Sequence, residues 1–247
     1  MSKSAMKLKV GDKRVLVISD LQEPFAHKDA FAFVSAVKEQ YETDTTVIIG
    51  DEVDFHAMSP SYVSDPDGKS PGDELKAAKK ALVKWVDLLK DEEEVSVCYS
   101  NHLHRIFKKC FLAGVPTAFI REINDFLGVP ASWVWKDVFH VDGVRYEHGD
   151  NAGGVYAARN LAIARREATV IGHHHSHAGV FYINTDDGDC IFGMNVGCLI
   201  DNEKYAFKYA KGNRFGQTLG CGVVLYGVPY FIPMITSSKG NWIGELI

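Results

Sequence analysis

"TTVIIGDEVD", residues 45–54, is a β-branched apolar run that stops on an aspartate. The arrangement recurs along the chain in "RVLVISD" (14–20), "VSVCYSNH" (95–102), "VRYEHGD" (144–150) and "ATVIGHHH" (168–175). Short apolar runs of this kind read as strands buried on both faces. Each ends in an acid, amide or imidazole. Loops leaving one edge of such a sheet converge, and α/β folds build their sites there.

Helical patterns separate most of the runs. "SPGDELKAAKKALVKWVDLLK" (70–90) has a capping serine, a proline in its first turn, and an apolar stripe of Leu75, Ala78, Leu82, Trp85 and Leu89. Residues 28–40, 117–128 and 153–168 read as further helices, and 59–70 as a loop. From about residue 179 the pattern changes to antiparallel hairpins, "GVFYINTDDGDCIFGMNVG" and "GCGVVLYGVPYFIPM". With no linker or internal repeat, residues 1–247 are expected to form a single α/β domain.

The composition narrows the classes. A net charge of −5 argues against a surface built for long nucleic acid. Five cysteines, none in C-x-x-C spacing, read as reduced thiols rather than a disulfide frame or zinc site. No apolar run has transmembrane length, and the N-terminus lacks a signal-peptide core, so a soluble cytoplasmic protein is expected, without a membrane partner.

The strand-end residues are Asp20, Asp51, Asn101, His102, His148, His173 and His175. Oxygen and imidazole donors without thiolate suit Mn, Fe, Zn, Co or Ni. "DLQ" (20–22), "GDEVD" (50–54), "SNHL" (100–103), "EHGD" (147–150) and "GHHH" (172–175) follow one another in the order of the calcineurin-like metallophosphoesterase motifs, and the chain resembles that superfamily from about residue 14 to 200. "NVGC" (195–198) is similar to the turn that follows the last metal motif in many members.

The resemblance implies a four-layer α/β/β/α sandwich of two mixed sheets flanked by helices. It implies two divalent ions, Mn first, with Fe, Zn, Ni or Mg as alternatives. Asp51 would bridge them. Asp20, Gln22 and His175 would hold the first ion, and Asn101, His148 and His173 the second. His173 and His175, two apart on an extended segment, would share a face, with His174 turned away. A hydroxide between ions about 3.5–4 Å apart would attack a phosphomono- or phosphodiester, with His102 assisting the leaving group. A nuclease and a degenerate metal- or partner-binding module are the alternatives.

Two positions depart from the family pattern. Gln22 stands where histidine is expected, weakening the first site or shifting it toward Mn or Mg, with His27 as a replacement imidazole. Leu103 stands where an acid is expected, with His104 as a substitute. Arg105 reads as a phosphate contact or a structural ion pair, Asp54 as a structural acceptor, and His56 as a helix start or cleft residue. Asp150 reads as the acid orienting an imidazole or as a solvated turn residue; His177 and His140 receive no role. Two basic clusters, "HLHRIFKK" (102–109) and "KYAFKYAKGNR" (204–214), admit a nucleotide or short nucleic acid as the phosphate ester substrate, or are solvated faces.

Overall fold

The structure is a computed structural model that describes residues 7–59, 70–185, 188–201 and 216–246. The loop expected over 59–70 and the basic cluster at 204–214 fall mostly or wholly outside these residues.

Among the described residues, one sheet joins β1 (Arg14–Ile18), β2 (Thr45–Ile48), β3 (Val95–Cys98) and β4 (Trp133–Lys136) in parallel. The hairpin β10 (Gly220–Leu225)–β11 (Val228–Pro233) adds antiparallel strands beside β1. The second sheet orders β5 (Val138–Val141), β6 (Val144–Glu147), β7 (Ala168–Ile171), β9 (Cys190–Val196) and β8 (Ala178–Asn184), with parallel β6–β7 and β7–β9 pairs at its centre.

The alternation of side chains explains why the sheets stack. In β1, Val15 and Val17 enter the layer between the sheets, where they meet Tyr146, Val170, Phe192 and Met194 of the second sheet. Leu16 and Ile18 face the other way, onto a core shared with α1 (Ala30–Gln40), α2 (Pro71–Leu88) and α4 (Ile123–Leu127). Fully burying a side chain of this size is worth about 1.5–3 kcal/mol. A central strand used on both faces therefore binds three layers together. α5 (Ala157–Arg165) closes the fourth layer by laying Ala157 and Ala158 on Ile171. The architecture is the α/β/β/α sandwich of two mixed sheets.

α2 begins as its sequence demands: Ser70 accepts the Asp73 N–H and Pro71 opens the first turn. Two local expectations change. Residues 117–128 form no continuous helix, only a 3-10 turn, Thr117–Phe119, and the short α4. Only Ile123 and Leu127 of this stretch are buried, so burial rewards a single turn. The basic stretch after β3 is itself a helix, α3 (Asn101–Leu112), capped by Ser100. Asn101 and His102 thus sit in a helix's first turn. The cysteines are free; Cys98, Cys190, Cys198 and Cys221 are buried. No described helix is long and apolar enough to cross a membrane.

Candidate metal centre

The parallel strands β1, β2, β3, β6 and β7 all deliver their C-terminal ends to one edge of the sandwich. Asp20, Asp51 and His173 occupy those ends with left-handed backbones, φ 51°, 53° and 65°. Non-glycine residues there are uncommon and cost about 1–3 kcal/mol each, a strain that gathers at functional sites. The left-handed turn at His173 corrects the extended geometry expected for "GHHH": β7 has already ended at Ile171. The loop is then pinned from outside. Asn195 of "NVGC" donates to the His174 carbonyl at 3.2 Å, and the Thr218 N–H donates to the His175 carbonyl at 2.7 Å. Gly50 before Asp51 also needs φ +76°, and a Cβ there would sit 2.7 Å from the Ser100 Cβ and 3.0 Å from His148 Nδ1.

One cluster is centred on His148. Its Nδ1 lies 2.8 Å from the Ile49 carbonyl, which can only accept, so the ring donates there. In the neutral ring Nε2 then carries a lone pair. Around it stand Asn101 Oδ1 at 2.8 Å, Asp51 Oδ2 at 3.4 Å and His173 Nδ1 at 3.2 Å. The donor atoms of Asp51, His148 and His173 all lie within 4.8 Å of one another. Electron-rich atoms packed this closely require a positive charge among them. Burial opposes charge on His148, but Asp51, followed by Asp20, outweighs it and raises the imidazole to about 10. Burial, then the neighbouring His148, pushes His173 down to about 4. Asp51 is held well below the usual carboxylate range because His102 and His148 outweigh its burial. This donor set fits a divalent ion.

The second cluster is less complete. His175 Nε2 meets Asp20 Oδ1 at 2.8 Å, and the Asp20 carboxylate also accepts the His173 N–H at 2.9 Å and the Ser19 hydroxyl. Burial opposes charge on both partners; each nonetheless favours the other's charged form, raising His175 and lowering Asp20. Gln22 is buried with its amide nitrogen 3.4 Å from both Asp51 Oδ2 and His175 Nε2. Its amide donates to Asp51, while His175 Nε2 already donates to the Asp20 carboxylate; turning the amide would present its carbonyl oxygen to His175 instead. His27 does not replace the missing imidazole. Its nitrogens face the Gly240 carbonyl at 3.0 Å and the Asp29 N–H at 3.1 Å.

His102 stands over Asp51, Nε2 to Oδ2 at 3.6 Å, and its backbone N–H reaches Asp51 Oδ1 at 3.3 Å. The residue that supports it is Asp54, whose Oδ1 lies 2.9 Å from His102 Nδ1, close but outside hydrogen-bond alignment. Asp54 thus stands where the acid expected at position 103 would act. Leu103 is instead fully buried in the helix-side core, and His104 turns outward to stack on Tyr99. Arg105 donates to the Asp54 carbonyl at 2.7 Å and contacts His102 Nε2 at 2.9 Å. His56 opens a 3-10 turn whose His56 and Ala57 N–H groups donate to the buried Glu74 of α2. Asp150 is exposed; the group orienting His148 is the Ile49 carbonyl. A backbone acceptor leaves no mark in a sequence, whereas Asp54 was legible as an acid and only its partner was not. His140 pairs at the surface with Glu167. Beside the centre lies a cleft of about 320 Å³ lined by Tyr99, His104, Arg145, His148, Asp150 and Arg165.

No family model and no curated protein matches the chain. Three similar solved structures are vacuolar protein sorting 29 of Cryptosporidium parvum (TM-score 0.49, 15% identity, 94% of this chain and 95% of that one), the E. coli phosphoesterase YfcE (0.41, 14%, 95% and 98%) and the Pseudomonas putida nuclease MPE (0.39, 13%, 92% and 98%). Two mixed sheets lie between helices in an α/β/β/α sandwich, with the motif residues gathered at one edge.

Proposed function

We propose that the protein is a metal-dependent phosphoesterase acting on phosphomono- or phosphodiesters. The observation that carries the reading is the set of mutually facing donors on Asp51, His148, His173 and Asn101. Asn101, His148 and His173 would hold one divalent ion, Asp20, Gln22 and His175 the other, with Asp51 shared. Oxygen and imidazole donors suit Mn first, with Fe, Zn, Ni or Mg as alternatives. Bound ions would supply Lewis acidity toward the phosphoryl oxygens and an acidified water as nucleophile.

The chain's own residues would do the rest. Arg105 presents a permanent cation beside His102 and can pair with a phosphoryl oxygen. The Asp54 carbonyl holds Arg105, and its carboxylate lies beside the His102 ring. The Arg105 contact occupies His102 Nε2, so His102 assists a leaving oxygen only once it is protonated there and Arg105 has turned to the substrate. Ordering the loops before substrate arrives saves reorganisation during reaction.

The test is hydrolysis of an aryl phosphate monoester and a diester with Mn, Mg, Zn, Ni or no added metal, beside Asp51→Asn. Metal-dependent turnover that the variant abolishes is expected; none with any metal, from folded protein, would refute the reading. A second reading, a metal- or partner-binding module without turnover, is favoured by Gln22, whose amide nitrogen donates to Asp51 and lies against His175 where a ligand is needed. Gln22→His separates the two, since it would raise turnover in an enzyme and only metal affinity in a binding module.

A further inference from the structure

α3 is the most basic element described. Its twelve residues, NHLHRIFKKCFL, include Arg105, Lys108, Lys109 and two histidines but no acid, in a chain whose net charge is −5. At about 100° per residue, His104, Lys108 and Phe111 fall within one narrow arc of the helix. Lys108 and Lys109 are exposed. Phe111 and Leu112 are 82% and 72% exposed, and Phe119, just past the helix, 79%. The rings continue back toward the metal centre. His104 stacks on Tyr99 with planes 18° apart, and Phe107 meets the His104 edge at 6.5 Å between centroids. Tyr99 and His104 form the lip of the cleft that His148 also lines.

We propose that this face of α3 is a track for single-stranded nucleic acid. Lys108 would meet a phosphate, while bases stack on Phe111, His104 and Tyr99, leading one phosphodiester to the metal centre. The proposal rests on the phosphoesterase reading for what happens at the end of the track. Exposed rings interleaved with cations are how sequence-tolerant strand-binding surfaces work. The helix itself carries no acid, which suits a polyanion, and in the cleft beyond it Arg145 and Arg165 stand among Asp137, Glu147 and Asp150. A strand is favoured over an anionic bilayer because the rings run on into a cleft, which a strand can follow and a flat surface cannot. The helix spans about 18 Å, room for a few nucleotides.

The experiment is fluorescence anisotropy of a labelled oligothymidylate with the full chain and chelator present, so that nothing is cleaved, from about 50 to about 200 mM salt. Binding that weakens steeply with salt is expected. Lys108→Gln should flatten the log–log salt slope by about 0.7, whereas Lys109→Gln, on the other side of the helix, should leave it unchanged. Phe111→Ala, at an exposed site that leaves the core intact, should weaken binding about tenfold, and should have no effect on an abasic strand. The track is overturned if wild type shows no salt-dependent binding, if Phe111→Ala binds as wild type does, or if phosphatidylserine vesicles are bound in preference to the strand. Protein that hydrolyses aryl diesters but ignores the strand overturns the track alone. Protein that binds the strand with the expected variant pattern yet hydrolyses nothing supports the track and refutes the phosphoesterase.

Discussion

Arg105 Nη2 lies 2.9 Å from His102 Nε2. A guanidinium has no lone pair to offer, so His102 must be the acceptor and carries its ring proton on Nδ1, toward Asp54. Arg105 therefore fixes the tautomer of a ring that stands over Asp51 while holding its own charge beside it. Arg105→Ala is expected to lower kcat on an aryl diester about 100-fold, the scale for losing one oriented donor in a closed site. Arg105→Lys is expected to recover little, because one ammonium cannot reach both His102 and the Asp54 carbonyl. Recovery of more than half the activity by lysine would show that charge alone matters.

An acid placed at position 103, where the motif reading expected one, should do harm. Leu103→Asp buries an unpaired carboxylate in the helix-side core and should cost about 3–5 kcal/mol in chemical denaturation. Asp54→Asn, which keeps shape and removes charge, should leave the midpoint nearly unchanged and reduce turnover about 10- to 100-fold.

Ion binding should stabilise the fold. At about 100 times its dissociation constant an ion adds about 2.7 kcal/mol. For a chain of this length that corresponds to a rise in Tm of about 5–10 °C. Thermal melts with Mn and with chelator measure it, and Asp51→Asn should remove the difference.

The same binding should release a proton. His148, raised to about 10 chiefly by Asp51 against the effect of burial, still holds its second proton at neutral pH when no ion is bound. An ion must displace that proton, so affinity should rise with pH up to about 10. His173, near 4, is already neutral and adds no dependence at neutral pH. Calorimetry in buffers of different ionisation enthalpy should count about one proton released per ion. In ion-free protein the sign is opposite. A histidine raised above its unfolded value of 6.5 stabilises fully below that pH, and the contribution fades as pH climbs toward 10. Melts of chelated protein across that range should show a falling midpoint.

The strands and their polar ends were legible because both signals are local: β-branched runs alternate between two cores, and each stops on a residue too polar to continue. The helix α3 was equally written in the chain, in the Ser100 cap and the stripe Leu103, Ile106, Phe107, but its lysines dominate a reading by charge. The Asp54–His102 pair joins two motifs distant in sequence, and only the folded chain makes it visible. The left-handed turns at Asp20, Asp51 and His173 are invisible for another reason. Nothing in those residue types demands a strained backbone; the surrounding packing imposes it.

His148 stands at the end of β6 in one sheet, and its ring is aimed by the Ile49 carbonyl, just past β2 in the other. The gap between the sheets therefore works as a caliper for the metal donors, with its jaws set by the side chains packed between them. A change of volume at Phe192 or Met194, deep in that layer, would open or close the jaws and be felt as a change in which ion fits. On the proposed reading, selectivity among divalent ions would be a property of the core.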